Sequence, residues 1–172
     1  MKKSGKRSSP RFFILITSDA HKTLRSSLSA YQLALQRLKD GTWGFNERTK
    51  NRKAIEKGDR VIVYASGQRE NGMTFVGTAR VATPPRPLAT KERMSAFKSG
   101  GQVGEIYAYY ANLEKVDVFN TPVPIRQLIS QLSFIKEPNA KWWALPLVGG
   151  SLAITERDFY MLCTQSKTVG KN

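Results

Sequence analysis

The sequence predicts an α+β domain: a small, closed, mostly antiparallel β-sheet with helices packed on its outside. Three observations carry that prediction. Apolar, β-branched and aromatic runs dominate the middle of the chain with short turn signals between them, so neighbouring strands pair locally. Three segments repeat apolar residues at spacings of three and four, the pattern of helices with one buried face. The order of elements also lacks the regular β-α-β alternation of a parallel sheet. At 172 residues, 40% of them hydrophobic, the chain suits one domain with a substantial core.

The elements follow in order. Met1 to Pro10 is Lys, Arg and Ser with almost nothing apolar, and reads as a disordered basic arm. Phe12 to Ile16 is a buried strand. A helix is expected from about Ser27 to Leu38, with Leu28, Tyr31, Leu35 and Leu38 on one face, ended by Lys39-Asp40-Gly41. At Trp43-Gly44 the chain is expected to bend and expose an indole face. Gly58-Asp59 is a turn, and Arg60 to Ala65 a strand with Ile62 and Tyr64 on one side and Val61 and Val63 on the other. Gln68 to Gly72 is a polar loop before the returning strand, Thr74 to Ala82. Thr83-Pro-Pro-Arg-Pro87 halts the sheet, because proline cannot donate to a ladder.

Leu88 to Gln102 reads as a basic excursion over the surface. Val103 to Tyr110 and Leu113 to Phe119 are expected strands. Thr121 is placed as the cap of a helix with Pro122 at its first position, and Ile125, Leu128, Ile129 and Leu132 form its buried stripe. Trp142 to Leu147 fits a strand. Thr155-x-x-Asp158 resembles a capping box opening a last helix, whose Phe159, Leu162 and Cys163 face the core. The domain therefore occupies 11–164, and the polar tail 165–172 is expected to fray.

Lys and Arg total 28 against 13 Asp and Glu, a net charge of +15. An excess of that size points to a polyanionic partner, a nucleic acid above all. No apolar run approaches the roughly 20 residues that span a membrane. Phe12 to Ile16 is too short for the core of a signal peptide, so a cytoplasmic, intracellular protein is expected. Cys163 is the single cysteine, which leaves no internal disulfide and no thiolate metal site. His21, the only histidine, has no ligand-like neighbours at metal spacing. Neither a metal nor a cofactor is expected, and the expected state is a monomer.

The candidate chemistry gathers in the first third of the chain. Arg48, Lys50, Arg52, Lys53, Lys57 and Arg60 are candidate phosphate-binding cations. Trp43, flanked by glycine, is a candidate base-stacking wall, although core packing is the plain alternative. Tyr64 and Ser66 end a strand, where side chains are held rigidly. Asn51 offers both a donor and an acceptor to a base edge. Trp142 and Trp143 are adjacent; in a strand one faces the core and the other a pocket or solvent. No Gly-x-x-x-x-Gly-Lys phosphate loop, dinucleotide fingerprint or carboxylate pair is visible, so a non-catalytic binding module is expected.

The pattern of Trp43-Gly44, Asn51, Gly58-Asp59-x-Val61-x-x-Tyr64-x-Ser66 and Phe75-Val76-Gly77-x-Ala79-x-Val81 resembles the EVE domain, one of the PUA-like β-barrels. Val116-Asp-Val118, Pro122-Val-Pro124-Ile-x-x-Leu128 and Ile154-Thr-x-x-Asp158-Phe159 are similar to that family's second half. The resemblance spans roughly 11 to 164. It departs at Ala65, where the family has His, at Phe12-Phe13-Ile14, where it has Tyr-Trp-Leu, and at Pro84-Pro85-Arg86-Pro87, where it has Tyr-Pro-Asp. The resemblance implies a closed PUA-like barrel related to the YTH domains that read methylated adenine in RNA. It also implies an aromatic pocket for a flipped, modified base, notably modified cytosine in DNA, with Trp43, Asn51, Tyr64 and Ser66 at the matching positions. Two other functions fit the same barrel: an RNA-binding module for ribosomal or transfer RNA, and a small hydrolase of modified nucleosides.

Overall fold

The computed structural model describes residues 9–19, 28–88 and 107–168. Within them the order is β1 (Phe12–Thr17), α1 (Ala30–Asp40), β2 (Thr42–Phe45), β3 (Arg60–Ala65), β4 (Thr74–Val81), β5 (Arg86–Pro87), β6 (Tyr109–Pro124), β7 (Ser151–Ile154) and α2 (Glu156–Thr168). The basic arm to residue 8, His21, the excursion at 89–102 and the tail from 169 lie outside the described residues.

The strands form one sheet in the order β2-β6-β4-β3-β1-β7, with β5 also beside β6. All pairs are antiparallel except β1 with β3, which run parallel from Phe12↔Arg60 to Thr17↔Ala65. The sheet is therefore mixed, and it curls into a half-barrel. Its two edges, β2 and β7, share no ladder. The loop after β2 crosses the gap instead: Lys50 N donates to the Gly149 carbonyl at 3.0 Å, and Ser151 Oγ donates to the Lys50 carbonyl.

Strand alternation sorts the core into two layers. Val61, Val63 and Ala65 of β3 face α1, in one cluster with Phe13, Leu15, Leu38, Trp43 and Phe45. Ile62 and Tyr64 face the opposite way, toward Phe75, Ile125, Leu128, Leu132 and the α2 residues Phe159 and Leu162. Helix α1 starts at Ser29, whose hydroxyl accepts from Gln32 N while Gln32 Oε1 accepts from Ser29 N. It stops at Gly41, whose φ of +63° closes the helix. Its buried face is Ala30, Ala34, Arg37 and Leu38, with Tyr31 and Leu35 flanking, so the stripe is rotated from the one expected. The small alanines let the helix lie close on the sheet.

The helix expected from Thr121 is not formed. Strand β6 runs on through Pro122 and Pro124, because its ladder to β4 claims the segment (Phe75↔Val123, Thr74↔Pro124). A 3-10 turn, Ile125–Gln127, and successive tight turns follow. Ile125, Leu128 and Leu132 are nonetheless buried, since turns of three or four residues return to the same side as a helix does. The two expected strands at 103–110 and 113–119 are, where described, one strand, β6. Residues 142–147 form turns and a 3-10 segment rather than a strand, and the strand lies farther on, at β7.

Candidate nucleic-acid interface

Because β1 and β3 are parallel, both end at one rim of the sheet, at Thr17 and Ala65. Ser66 locks the two ends together. Its backbone N–H and its Oγ both donate to the Thr17 carbonyl, at 2.8 and 2.9 Å. The hydroxyl proton is thereby committed, while the oxygen keeps lone pairs that can accept. Asp19 braces the same rim: its carboxylate accepts from Ala30 N at 2.8 Å and Gln68 N at 3.2 Å.

The loop from Asn46 to Asn51 leans across this rim. Asn46 folds it, its Oδ1 accepting from Arg48 N and from Thr49 Oγ1 at 2.9 and 3.1 Å. The aliphatic stem of Lys50 lies on Gly149 and Thr49 lies on Gly150, and those glycines adopt φ of +113° and +81°. The φ of +113° requires glycine at 149, and a Cβ there would come within 2.8 Å of Lys50 Cδ and make that side chain shift. Gly150 also accepts from Ile16 N at 3.0 Å. Loop 46–51, the Gly149-Gly150 turn, the end of β1 and Ser66 thus form one hydrogen-bonded chain. Asn51 follows Lys50 with φ +57°, half-buried, its side chain taking no part in capping the 3-10 turn Arg52–Ala54.

The six predicted phosphate ligands divide. Arg48, Lys50, Lys53 and Lys57 are exposed. Arg52 lies flat on Tyr109, its guanidinium carbon 3.5 Å from the ring centroid. Arg60 opens β3, at the strand's other end from Ser66, and donates to Tyr160 Oη at 3.1 Å. It does not share a site with the strand-end residues.

The aromatic predictions need the largest correction. Trp43 is not at a bend; it lies in edge strand β2, paired with Ala111, and its indole is 2% exposed in the α1-side core. The buried Arg37 guanidinium sits 5.1 Å from the Trp43 ring centroid and 4.7 Å from that of Tyr107, whose Oη accepts from Arg37 Nη2 at 2.9 Å. Tyr64 is equally buried but on the opposite face, 5.1 Å from the Phe75 centroid. Burial pushes its phenol up to about 12, with the Arg126 cation opposing part of the rise. The sheet separates Trp43 from Tyr64, so they do not line one pocket. Trp143 packs against the α2-side core while Trp142 stands exposed with Lys141 Nζ 5.8 Å from its centroid, one in and one out, on turns rather than on a strand.

Sequence reasoning missed Arg37, Tyr107 and the Gly149-Gly150 turn. The Gly-Gly pair before an apolar run is a turn signal that could have found the last of these. Among the described residues no group of three or more His, Cys, Asp or Glu side chains converges. Burial raises the Cys163 thiol, with Lys167 opposing, which makes it a weak nucleophile. No described helix is long and apolar enough to cross a membrane.

The EVE domain family model matches residues 21–165. No curated protein matches the sequence. Solved structures share the fold at low identity. An Agrobacterium tumefaciens protein aligns with a TM-score of 0.56 at 14% identity, covering 91% of this chain and 92% of its own. Human THYN1, solved with 5-methylcytosine-containing DNA, aligns with a TM-score of 0.56 at 11% identity, covering 90% and 97%. The YTH domain of Zygosaccharomyces rouxii MRB1, solved with N6-methyladenosine RNA, gives 0.53 at 14% identity, covering 93% and 88%.

Proposed function

The chain belongs to the EVE domain family, and from that premise we propose that it is a non-catalytic nucleic-acid-binding module that holds a flipped, modified base, a modified cytosine in DNA, at the rim where β1 and β3 end. The observation that carries this reading is the clasp between loop 46–51 and Gly149-Gly150. It ties the loop that carries exposed cations and Asn51, a carboxamide with no capping duty, through Gly149-Gly150 to the end of β1, whose Thr17 carbonyl holds Ser66. A cytosine edge presents a donor amine and acceptor atoms, which an amide and a hydroxyl oxygen can meet. THYN1, of the same fold, was solved with 5-methylcytosine-containing DNA, which supports the choice of base. Trp43 and Tyr64 serve this site from beneath, as the packed frame of the sheet, and not as its walls.

Flipping a base costs a few kcal/mol. Phosphate contacts from Arg48, Lys50 and Lys53 offset part of that cost without reading sequence. Discrimination by one methyl group is worth only about 1–3 kcal/mol, so a preference of roughly 5- to 150-fold is expected. RNA is the competing ligand, because the MRB1 YTH domain shares the fold and was solved with methylated RNA. The test is a binding panel at one salt concentration: DNA and RNA of matched sequence, plain, with 5-methylcytosine and with N6-methyladenosine. The proposal expects 5-methylcytosine DNA to bind best. Equal affinity for plain and modified strands would refute it, and a preference confined to RNA would transfer the site to the second reading.

A further inference from the structure

Three of the four large hydrophobic side chains standing exposed among the described residues fall in one short stretch: Trp142 at 67%, Leu145 at 66% and Val148 at 59%. Their spacing is structural. Leu145 N donates to the Trp142 carbonyl at 2.9 Å and Val148 N to the Leu145 carbonyl at 3.1 Å. Successive turns of three residues stack such side chains on one side. The residues between them, Trp143 and Leu147, pack inward on the α2-side core. The outward row is therefore an anchored ridge and not the edge of a loose loop. It runs directly into Gly149-Gly150, on which Lys50 and Thr49 rest.

An apolar ridge of this kind marks a binding surface. Its setting says what binds. Lys141 stands over the Trp142 ring, Lys50 lies on the glycine turn, and Arg48 is exposed on the same loop. A base-paired duplex, with negative charge outside and flat stacked surfaces inside, is complementary to this combination of cations and apolar side chains. Extruding a base leaves a gap in the stack, and its neighbours lose their contacts. Proteins that deform duplexes fill such gaps with apolar side chains.

We propose that the Trp142–Leu145 ridge is the wedge that enters the base stack when the target base leaves it, the indole taking the vacated space and Leu145 bearing on the adjacent pair. This rests on the base-reading function proposed above and adds to it a division of labour: the strand-end site reads the base, and the ridge holds the duplex open. The anchoring by Trp143 and Leu147 gives the wedge little freedom to lose on binding, which favours its use.

The wedge acts only where there is a stack to enter, and that separates it from the reading site. The probes are a DNA duplex with one 5-methylcytosine and a 2-aminopurine beside it, and the same modified strand alone. Trp142→Ala should weaken duplex binding by roughly tenfold or more, the worth of one stacked aromatic, and abolish the rise in 2-aminopurine fluorescence. Binding of the single strand should not change, and Trp142→Phe should restore most of the duplex affinity. Unchanged duplex binding by Trp142→Ala overturns the wedge. An equal loss on duplex and single strand also overturns it, because the indole would then belong to the reading site. If the wild-type protein fails to prefer the modified single strand over the plain one, the base-reading function itself fails, and the wedge with it.

Discussion

Removing the Trp43 indole would leave a void between α1 and the β2–β6 pair, with the Arg37 guanidinium facing it. A large-to-small change at such a position costs about 3–5 kcal/mol. Trp43→Ala is therefore expected to lower the midpoint of chemical or thermal unfolding strongly, and a variant that melts like the wild type would show that the indole is not core. Tyr64 allows a second prediction at this scale. Its phenol, ordinarily near 10, is raised to about 12 in the folded chain by burial. The unfolded chain loses that proton first, so the stability is complete below pH 10 and falls as pH rises from about 10 through about 12. The decline should be about 2 kcal/mol from this group and absent in Tyr64→Phe, by denaturant titration at pH 9 and 11.5. These two residues also show what was open to sequence reasoning. Alternation correctly put Tyr64 with Ile62 and against Val61 and Val63. It could not say that the face opposite carried Trp43, because that depends on which strand lies beside β2.

At the scale of elements, the loop 46–51 and the turn 149–150 are hydrogen-bonded to each other although about a hundred residues of chain separate them. Gly149→Ala meets both a φ of +113° and the Lys50 stem. Strain of that kind costs about 1–3 kcal/mol. The expected outcome is a loss of modified-base preference greater than the loss of global stability, because the strain falls on the clasp. A melt as damaged as the binding would mean that the clasp is structural only. Much of the element list was legible: β1, the β3–β4 hairpin, α1 and the start of α2 follow from period and caps. The Thr121-Pro122 pair misled because a cap and an edge of a long strand tolerate the same residues; the ladder to β4, a long-range contact, decided between them. Strands β2 and β7 are four residues each, too short to show a period. They are strands because β6 and β1 pair with them.

On the scale of the whole molecule, a net charge of +15 acts on any polyanion and distinguishes none. Total affinity for duplex DNA is expected to fall with salt, with a log–log slope of about −0.9 per phosphate neutralised. Charge was plain in the sequence. The place where it becomes selective was not, since five of the six candidate cations are exposed, Arg60 among them serving Tyr160 on the far side, and Arg52 is stacked on Tyr109. Preference for a modified base has a different origin. On the proposed reading it requires the flipped base to be held in the site by short-range contacts at Asn51 and Ser66, which salt scarcely screens. The most direct measurement is therefore the ratio of affinities for 5-methylcytosine and plain DNA across a salt series, for the wild type and for Asn51→Ala. The account predicts a ratio that stays constant while both affinities fall, and that drops to one in Asn51→Ala at every salt concentration. A ratio that persists in Asn51→Ala, or that disappears in the wild type as salt rises, would contradict it.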